Sequence, residues 1–265
     1  MPDEVMKDKD VMVVQETLFE IVELVEQPKG KKHAIIALPD AGLVGTIAGM
    51  HLVQALNMEL VGYIDAEIMP PVAVIHNRKA RPPIQLYANN DFLLIVSEIP
   101  LPAEAMRPVS TAILQYLQEV EPKSITALGG TPVPPALRSQ LEVPEVYAVA
   151  TTESVYDRIM DKKIKFLDEG IVAGAYAILL LEAQRQRIPI TYIMAQAFLN
   201  FPDPGAAAEI VKTLSILTGI PISTKALIEG AEEVRVRVRD LMNQTTTTMQ
   251  TSGKEQEFHI PAFYS

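Results

Sequence analysis

Apolar and polar positions along this chain predict strands and helices in alternation through most of its length. A half-buried strand is predicted at 18–25, where apolar and acidic residues alternate. A central strand is predicted at 33–38, where the run HAIIAL is almost continuously apolar, and a helix follows at about 43–56. Further strands are predicted at 60–68, 72–75, 84–87, 92–96, 124–128, 146–150 and 190–195, and further helices at 108–120, 171–187, 204–218 and 225–244.

This alternation predicts a single α/β domain whose central sheet is mostly parallel or mixed and is flanked by helices. Helix ends are clearest at 204–218, where Asp203 is a good N-cap, Pro204 takes the first helical position and Gly219 supplies a left-handed stop. Pro108 is likewise well placed for the first turn of its own helix.

The C-terminal part of the domain is predicted to be a helical pair whose second helix carries an apolar stripe. Its members are spaced four, three, four and three residues apart, which favours packing on the body of the domain over packing on a sister subunit. They are Leu227, Ala231, Val234, Val238 and Leu241. The domain is predicted to occupy 15–243, after an N-terminal extension at 1–14.

Beyond the domain, residues 244–265 are predicted to form a flexible linker and a docking tail. The linker is rich in threonine and has no apolar periodicity. Aromatic and branched apolar residues return only near the end, at Phe258, Ile260, Phe263 and Tyr264. About fifteen linker residues reach roughly 50 Å when fully extended. Phe263 and Tyr264 offer aromatic contacts and one hydroxyl, and the Ser265 carboxylate can pair with a cation.

Composition narrows the range of partners. The net charge of −10 argues against nucleic acid, and the longest apolar stretch, Ile171 to Leu181, is too short to span a bilayer and fits a buried helix. Cysteine is absent, so neither disulfides nor thiolate metal sites are expected. The acidic start of the chain gives no secretory signal, and a cytoplasmic location is expected. Apolar residues make up 48% of the chain, which favours subunit interfaces and a homo-oligomer.

Two glycine turns are the candidate ligand sites. Asp40, Gly42 and Gly45 follow the first central strand, and Gly129 and Gly130 follow a later one. Turns that lead into a helix can bind phosphate at the helix N-terminus, yet the first turn matches neither a dinucleotide fingerprint nor a P-loop. The favoured interpretation is that Gly42 shapes this turn while Gly45 and Gly49 let the helix pack closely on the sheet, and that the prolines after Gly130 make the second turn a rigid loop. No cofactor and no metal site is predicted.

Catalytic candidates are few. Only Asp40 and the pair Ser97–Glu98 stand where an α/β enzyme would place a catalytic group, and neither has a partner visible in the sequence. The four histidines are dispersed along the chain and form no metal-binding or hydrolase motif.

Taken together, four segments resemble the proteasome assembly chaperone family, in particular its archaeal homologues. They are LPDAGLVGTIAG (Leu38–Gly49), LGGTPVP (Leu128–Pro134), FPDPGAAAEIVKTLS (Phe201–Ser215) and the terminal Phe263-Tyr264-Ser265. The resemblance covers about 15–243 together with the tail.

The resemblance implies a fold like that of nucleoside phosphorylases without their catalytic residues, and a homo-oligomer, with tetramer and pentamer as the alternatives. It also implies that the ending Phe263-Tyr264-Ser265 is an HbYX motif (hydrophobic residue, tyrosine, any residue), which docks between neighbouring α-subunits of the proteasome core particle.

Two functions from different classes are therefore predicted as alternatives. The first is a non-enzymatic proteasome assembly chaperone or ATP-independent activator that docks its tail into the α-ring. The second is an enzyme that binds a nucleoside or nucleotide (a hydrolase, a phosphorylase or an ATP-grasp-like protein) at the glycine turns, although no phosphate-binding lysine accompanies them. A scaffold whose tail serves another receptor is a third possibility.

Overall fold

The structure is a computed structural model, and it describes residues 19–76, 78–236 and 238–240. The strands are β1 (Glu20–Glu23), β2 (His33–Ala37), β3 (Glu59–Asp65), β4 (Val74–His76), β5 (Lys79–Arg81), β6 (Ile84–Ala88), β7 (Phe92–Ser97), β8 (Ser124–Pro132), β9 (Val146–Ala150), β10 (Lys165–Phe166) and β11 (Ile190–Ala197). The helices are α1 (Val44–Ala55), α2 (Ala103–Val120), α3 (Pro135–Gln140), α4 (Glu153–Asp161), α5 (Gly174–Gln186), α6 (Pro204–Thr218) and α7 (Lys225–Glu229). A single 3-10 turn at Ala41–Leu43 precedes α1, and residues 231–236 and 238–240 are also helical.

One large mixed sheet organises the domain. Its strand order is β1-β3-β6-β7-β2-β8-β11-β9-β10, while β4 and β5 form a separate hairpin. The four central strands β7, β2, β8 and β11 run parallel, and β6, β3 and β1 continue the sheet in antiparallel fashion on one side. On the other side, β9 is antiparallel to β11 and parallel to β10. The predicted α/β fold with a mixed sheet is thus confirmed, and parallel pairing is concentrated at its centre.

Helices cover both faces of the central strands, which explains why those strands are apolar throughout. All five residues of β2 and all six of β7 are buried. Because successive side chains point to opposite faces, Ile36 joins the core beneath α2 and α5, while Ile35 joins the core beneath α1 and α6. The result is a three-layer arrangement. Within the described residues, none of the helices is long and apolar enough to cross a membrane.

The start of α2 differs from the sequence prediction. The helix begins at Ala103, and Pro108 lies inside it rather than in its first turn. Pro102 takes the N-cap position, and its carbonyl accepts hydrogen bonds from Ala105 N and Met106 N. Pro108 removes one later backbone bond, that to the carbonyl of Glu104, and Glu104 is exposed, so that water can satisfy this group.

The apolar stretch at 171–181 is also less buried than predicted. The helix α5 begins only at Gly174, Ile171 is 90% exposed, and Leu181 is 69% exposed. Burial is confined to one side of the helix, where Tyr176, Leu179 and Ala183 recur three and four residues apart. This segment therefore presents apolar side chains outward.

The C-terminal helix is interrupted where a continuous one was predicted. The helix α7 ends at Glu229, Gly230 follows as a turn, and helical structure resumes at 231. Leu227 is buried and Val234 and Val238 are partly buried against the core beneath α1 and α6, so the apolar stripe packs on the domain. Residues 241–244 of the predicted helix lie outside the described residues.

The N-terminus of α6 has the boundary signals that the sequence predicts. Asp203 is the N-cap, its side chain accepts from Ala206 N at 3.1 Å, Pro204 follows it, and Gly219 ends the helix in the left-handed conformation. The same carboxylate forms a bidentate pair with Arg138 of α3, at 2.7 Å from Nε and 2.8 Å from Nη2. Both side chains are almost completely buried.

Asp203 also ties α6 to the first glycine turn through its backbone. Its N–H donates to the carbonyl of Gly42 at 2.8 Å, and its carboxylate accepts from Phe198 N at 3.3 Å. The Arg138 guanidinium lies over the Phe198 ring, 5.4 Å from the ring centroid. One carboxylate therefore fixes α3, α6 and the loop that enters α6 relative to one another.

Substitution Asp203→Asn tests this junction. The amide keeps the shape and one cap acceptor but leaves the Arg138 charge buried without a counter-charge, so the free energy of unfolding should fall by about 3–5 kcal/mol. Urea unfolding followed by circular dichroism measures the loss. The control is Glu229→Gln in the exposed pair Lys225–Glu229, which should change little. Equal losses in both variants would contradict the assigned role.

Candidate functional site

The five residues predicted as a ligand turn come together at the carboxyl ends of β2 and β8. These strands are parallel neighbours, so the segments that leave them meet at one edge of the sheet. The Asp40 carboxylate accepts from Gly45 N at 3.3 Å through Oδ1 and from Gly130 N through Oδ2. Gly129 and Gly130 lie within β8 rather than in a turn after it, because β11 continues to pair with β8 as far as Pro132.

The glycines at this junction are required by space. A Cβ on Gly45 would lie 2.5 Å from the carbonyl oxygens of both Leu38 and Leu128, which are backbone atoms that cannot yield. At Gly130 a Cβ would meet the Ala41 carbonyl oxygen still more closely. Gly42 has φ 67°, a left-handed conformation that other residues adopt at a cost. The glycines thus let α1 and the turn before it pack directly against the sheet.

The electrostatics of Asp40 follow from its enclosure. Asp40 as a residue is half-buried, but its carboxyl group is surrounded by protein. Burial raises the pKa of this carboxyl well above its ordinary value of 3.8, and the hydrogen bonds from Gly130, Gly45 and Val44 oppose that rise. The amides that could hold a phosphate at the start of α1 are therefore engaged by the chain's own carboxyl group.

A cavity of about 460 Å³ opens beside this junction, at the carboxyl edge of the parallel strands. Its walls come from the segments after β2, β7 and β8, from β11 and from the start of α5. They include Asp40, Leu101, Met106, Val172, Tyr176 and Met194. None of the described residues that line the cavity is a lysine, an arginine or a histidine. The walls are mostly apolar, with a few polar groups from Asp40, Thr131 and two tyrosines.

Two tyrosines that sequence reasoning did not single out form one wall. The rings of Tyr176 and Tyr192 stack with their centroids 4.7 Å apart, and both residues are 2% exposed. The Tyr176 hydroxyl accepts from Leu38 N at 2.7 Å and donates to the Leu128 carbonyl, so it bridges β2 and β8. Burial raises the pKa of both tyrosines well above its ordinary value. The sequence signal that could have identified them is a tyrosine within an otherwise apolar run, Tyr176 in 171–181 and Tyr192 in 190–195.

Glu98 has partners that only the fold reveals. His76 Nε2 lies 2.7 Å from its Oε1 and 2.8 Å from its Oε2, and Gln85 Nε2 donates to Oε1 at 2.6 Å. Gln85 Oε1 accepts from the Tyr87 hydroxyl at 2.6 Å, and Arg81 donates to that hydroxyl at 2.9 Å. This polar chain fastens the β4–β5 hairpin to β6 and β7.

Ser97 and the remaining described histidines have structural partners of their own. The Ser97 hydroxyl donates to the Ile99 carbonyl at 2.8 Å, so it is not poised as a nucleophile. His33 Nδ1 lies 2.7 Å from Ser124 Oγ, and His51 Nε2 lies 2.7 Å from the Ser223 carbonyl oxygen. Across the described ranges, no group of three or more histidine or carboxylate side chains is placed to hold a metal ion.

The predicted docking residues Phe263, Tyr264 and Ser265 lie outside the described residues, as do the N-terminal extension and the linker. Their role therefore stays a prediction that rests on the sequence.

Comparison with known proteins gives one family and several related structures. The model of the PAC2 family matches residues 34–242. The crystal structure of Pyrococcus furiosus PbaA, an archaeal homolog of proteasome-assembly chaperone, is 26% identical, covers 87% of this chain and 99% of its own, and superposes with a TM-score of 0.78.

Two further relatives extend the picture. Pyrococcus furiosus PbaB, an archaeal proteasome activator, has the same fold with a TM-score of 0.71 at 20% identity, covering 85% of this chain and 99% of its own. An uncharacterized protein of Methanocaldococcus jannaschii is 26% identical over 226 residues, which is 85% of this chain and 92% of that protein.

The environment of Asp40 predicts a pH dependence of stability. A carboxyl whose pKa is raised on folding binds more protons in the folded state, so its contribution to the free energy of unfolding falls as pH rises above 3.8. Relative to Asp40→Asn, the natural protein should therefore lose stability as pH rises from about 4 into the neutral range. Unfolding midpoints of both proteins across this range provide the measurement. A difference that is constant, or that grows in favour of the natural protein, would show that the three amides outweigh burial.

Proposed function

Because this chain belongs to the PAC2 family, we propose that it is a non-enzymatic proteasome assembly chaperone or an ATP-independent activator of the proteasome core particle. The observation that carries the proposal is the likeness to PbaA, an archaeal homolog of proteasome-assembly chaperone, over 87% of this chain. The fold of PbaB, an archaeal proteasome activator, is in keeping with either role.

The chemistry of the domain supports a binding role over an enzymatic one. The Asp40 carboxyl group is held by backbone amides, and the Ser97 hydroxyl is bonded to a carbonyl. The polar side chains that looked catalytic in the sequence thus serve to join elements of the fold. A nucleotide phosphate at the glycine turn would compete with Asp40 for the same amides and would find no cation among the described residues that line the cavity.

In this proposal the C-terminal tail, Phe263-Tyr264-Ser265, binds the proteasome. Phe263 supplies an apolar anchor and Tyr264 adds a ring and one directional hydrogen bond, since aromatic side chains give large contacts with few torsions to order. The Ser265 carboxylate pairs with a cation in a pocket between neighbouring α-subunits. The polar linker before them provides reach without a fixed direction.

A homo-oligomer, a tetramer or a pentamer, would present several tails at once. A single short peptide binds weakly because it must be ordered on binding, and several tails on one ring raise the effective concentration of each. Outward-facing apolar side chains are in keeping with association between copies: Ile171 is 90%, Leu181 69% and Phe201 60% exposed. The proposed setting is the cytoplasm, with neither nucleic acid nor membrane as partner.

Removal of the last three residues tests the proposed grip. The truncated protein should keep its fold and its oligomeric mass but lose binding to α-rings, because the aromatic anchor and the terminal carboxylate are both gone. A pull-down with purified α-rings measures binding, while circular dichroism and light scattering check fold and mass. Undiminished capture of the truncated protein would overturn tail docking.

A matched control separates the carboxylate from the aromatic residues. Extension of the chain by Gly-Ser after Ser265 keeps Phe263 and Tyr264 but displaces the terminal charge, and capture should again fall sharply. Capture of the extended protein at the natural level would show that the terminus is not recognised.

Addition of the natural protein to finished core particles, with a fluorogenic peptide as substrate, distinguishes an activator from an assembly chaperone. An activator raises the rate of peptide hydrolysis, whereas an assembly chaperone does not.

A further inference from the structure

The Tyr192 hydroxyl faces the cavity beside Asp40 and has no hydrogen-bond partner among the described residues. Tyr192 is 2% exposed and lines the cavity, and its hydroxyl makes no hydrogen bond to any described residue. Across the same described residues, every fully enclosed side-chain nitrogen or oxygen does have a partner. The Tyr192 hydroxyl is therefore accessible within the cavity. A hydroxyl that faces a mostly apolar cavity and has no partner in the protein is available to donate a hydrogen bond to a ligand atom.

Tyr176, which stacks on Tyr192, differs from it in the hydrogen bonding of its hydroxyl. The Tyr176 hydroxyl is satisfied on both sides, by Leu38 N and by the Leu128 carbonyl. The stacked pair thus has one hydroxyl that belongs to the scaffold and one that is free to meet a ligand.

The size and walls of the cavity define the ligand class. About 460 Å³ lies within the range of small-molecule sites, which are mostly apolar with a few polar groups that fix orientation. The cavity also lies at the carboxyl ends of parallel strands, where ligands of open α/β sheets bind. Leu101, Met106, Val172 and Met194 offer contact to an apolar body.

We propose that this cavity binds an uncharged, mostly apolar small molecule whose carbonyl or hydroxyl oxygen accepts a hydrogen bond from Tyr192. This site is separate from the tail and does not depend on the proposed proteasome function.

Charge excludes the other ligand classes. An anion would meet no cationic side chain among the lining residues that the structure describes. A cation would need a full negative charge opposite it, and burial raises the pKa of Asp40, which disfavours that charge. A neutral ligand needs no opposite charge in the cavity.

Three aromatic probes of similar size but different charge test this class on the full-length protein: acetophenone, benzoate and benzylamine. Acetophenone should bind in the low millimolar range, about what a fragment of this size reaches, and benzoate and benzylamine at least about tenfold more weakly. Saturation-transfer NMR with titration gives the dissociation constants. Tighter binding of either charged probe, or no binding of acetophenone, would overturn the proposal.

Two variants locate the site. Tyr192→Phe removes only the hydroxyl and should weaken acetophenone binding about threefold to tenfold, the worth of one neutral hydrogen bond. Because that hydroxyl has no partner in the protein, its removal should not lower the unfolding midpoint. The control Tyr176→Phe, which loses two bonds, should lower the midpoint. Unchanged binding to Tyr192→Phe would overturn the assignment of the hydroxyl.

Ala173→Trp tests occupancy with little risk to folding, because Ala173 is exposed at the rim of the cavity. The indole should block entry and weaken acetophenone binding at least about tenfold. The matched control is Ala226→Trp, also at an exposed alanine, which lines a second cavity near His76 and Glu98. Loss of binding in the Ala226 variant with retention in the Ala173 variant would place the probe elsewhere and refute the site.

Discussion

The N-terminus of α1 lies so close to the carboxyl ends of β2 and β8 that a side chain at Gly45 would collide with two backbone carbonyls. Two side chains stabilise this contact. The Asp40 carboxyl group accepts hydrogen bonds from the amides of Gly45 and Gly130, and the Tyr176 hydroxyl joins β2 to β8. The Gly42 carbonyl extends the junction to Asp203, and so to α6 and Arg138. Because a densely packed interior transmits strain, the central sheet, both flanking layers and the cavity depend on this contact.

The consequence for function is a rigid body whose conspicuous polar residues are committed to holding it together. Asp40 and Glu98 look reactive by position, and each is engaged by named partners in the protein, as is the helix cap Asp203. In our proposal, recognition of the proteasome then belongs to a segment beyond this body, and the body supplies association between copies. The resemblance to the proteasome assembly chaperone family is confirmed by the PAC2 match and by the similarity to PbaA.

Local signals in the sequence predicted much of the fold. The central strands, α1 and both ends of α6 were predicted because their signals are local: continuous apolar runs, a carboxylate N-cap, a proline and a stop glycine. The short helices α3 and α4 were missed, since two or three turns carry too few apolar positions to show a period. Pro108 misled because a proline in the second turn of a helix looks the same in sequence as one in the first.

The candidate site was predicted only in part, because local sequence signals do not show which distant residues meet in the fold. Asp40 and Gly42 mark a turn in the sequence, whereas Gly129 and Gly130 lie within β8. The pairs Tyr176–Tyr192 and His76–Glu98 form only by tertiary contact between separate elements, which no local sequence pattern predicts.

The two edges of the large sheet bear on how copies of the chain can meet. One edge is β1, four residues long, with exposed glutamates at both ends, and the other is β10, only two residues long. Short, charged edge strands offer little backbone for another chain to continue the sheet. Such edges disfavour continuation of the sheet from one copy to the next. In a homo-oligomer such as we propose, contact between copies would therefore be made by side-chain surfaces.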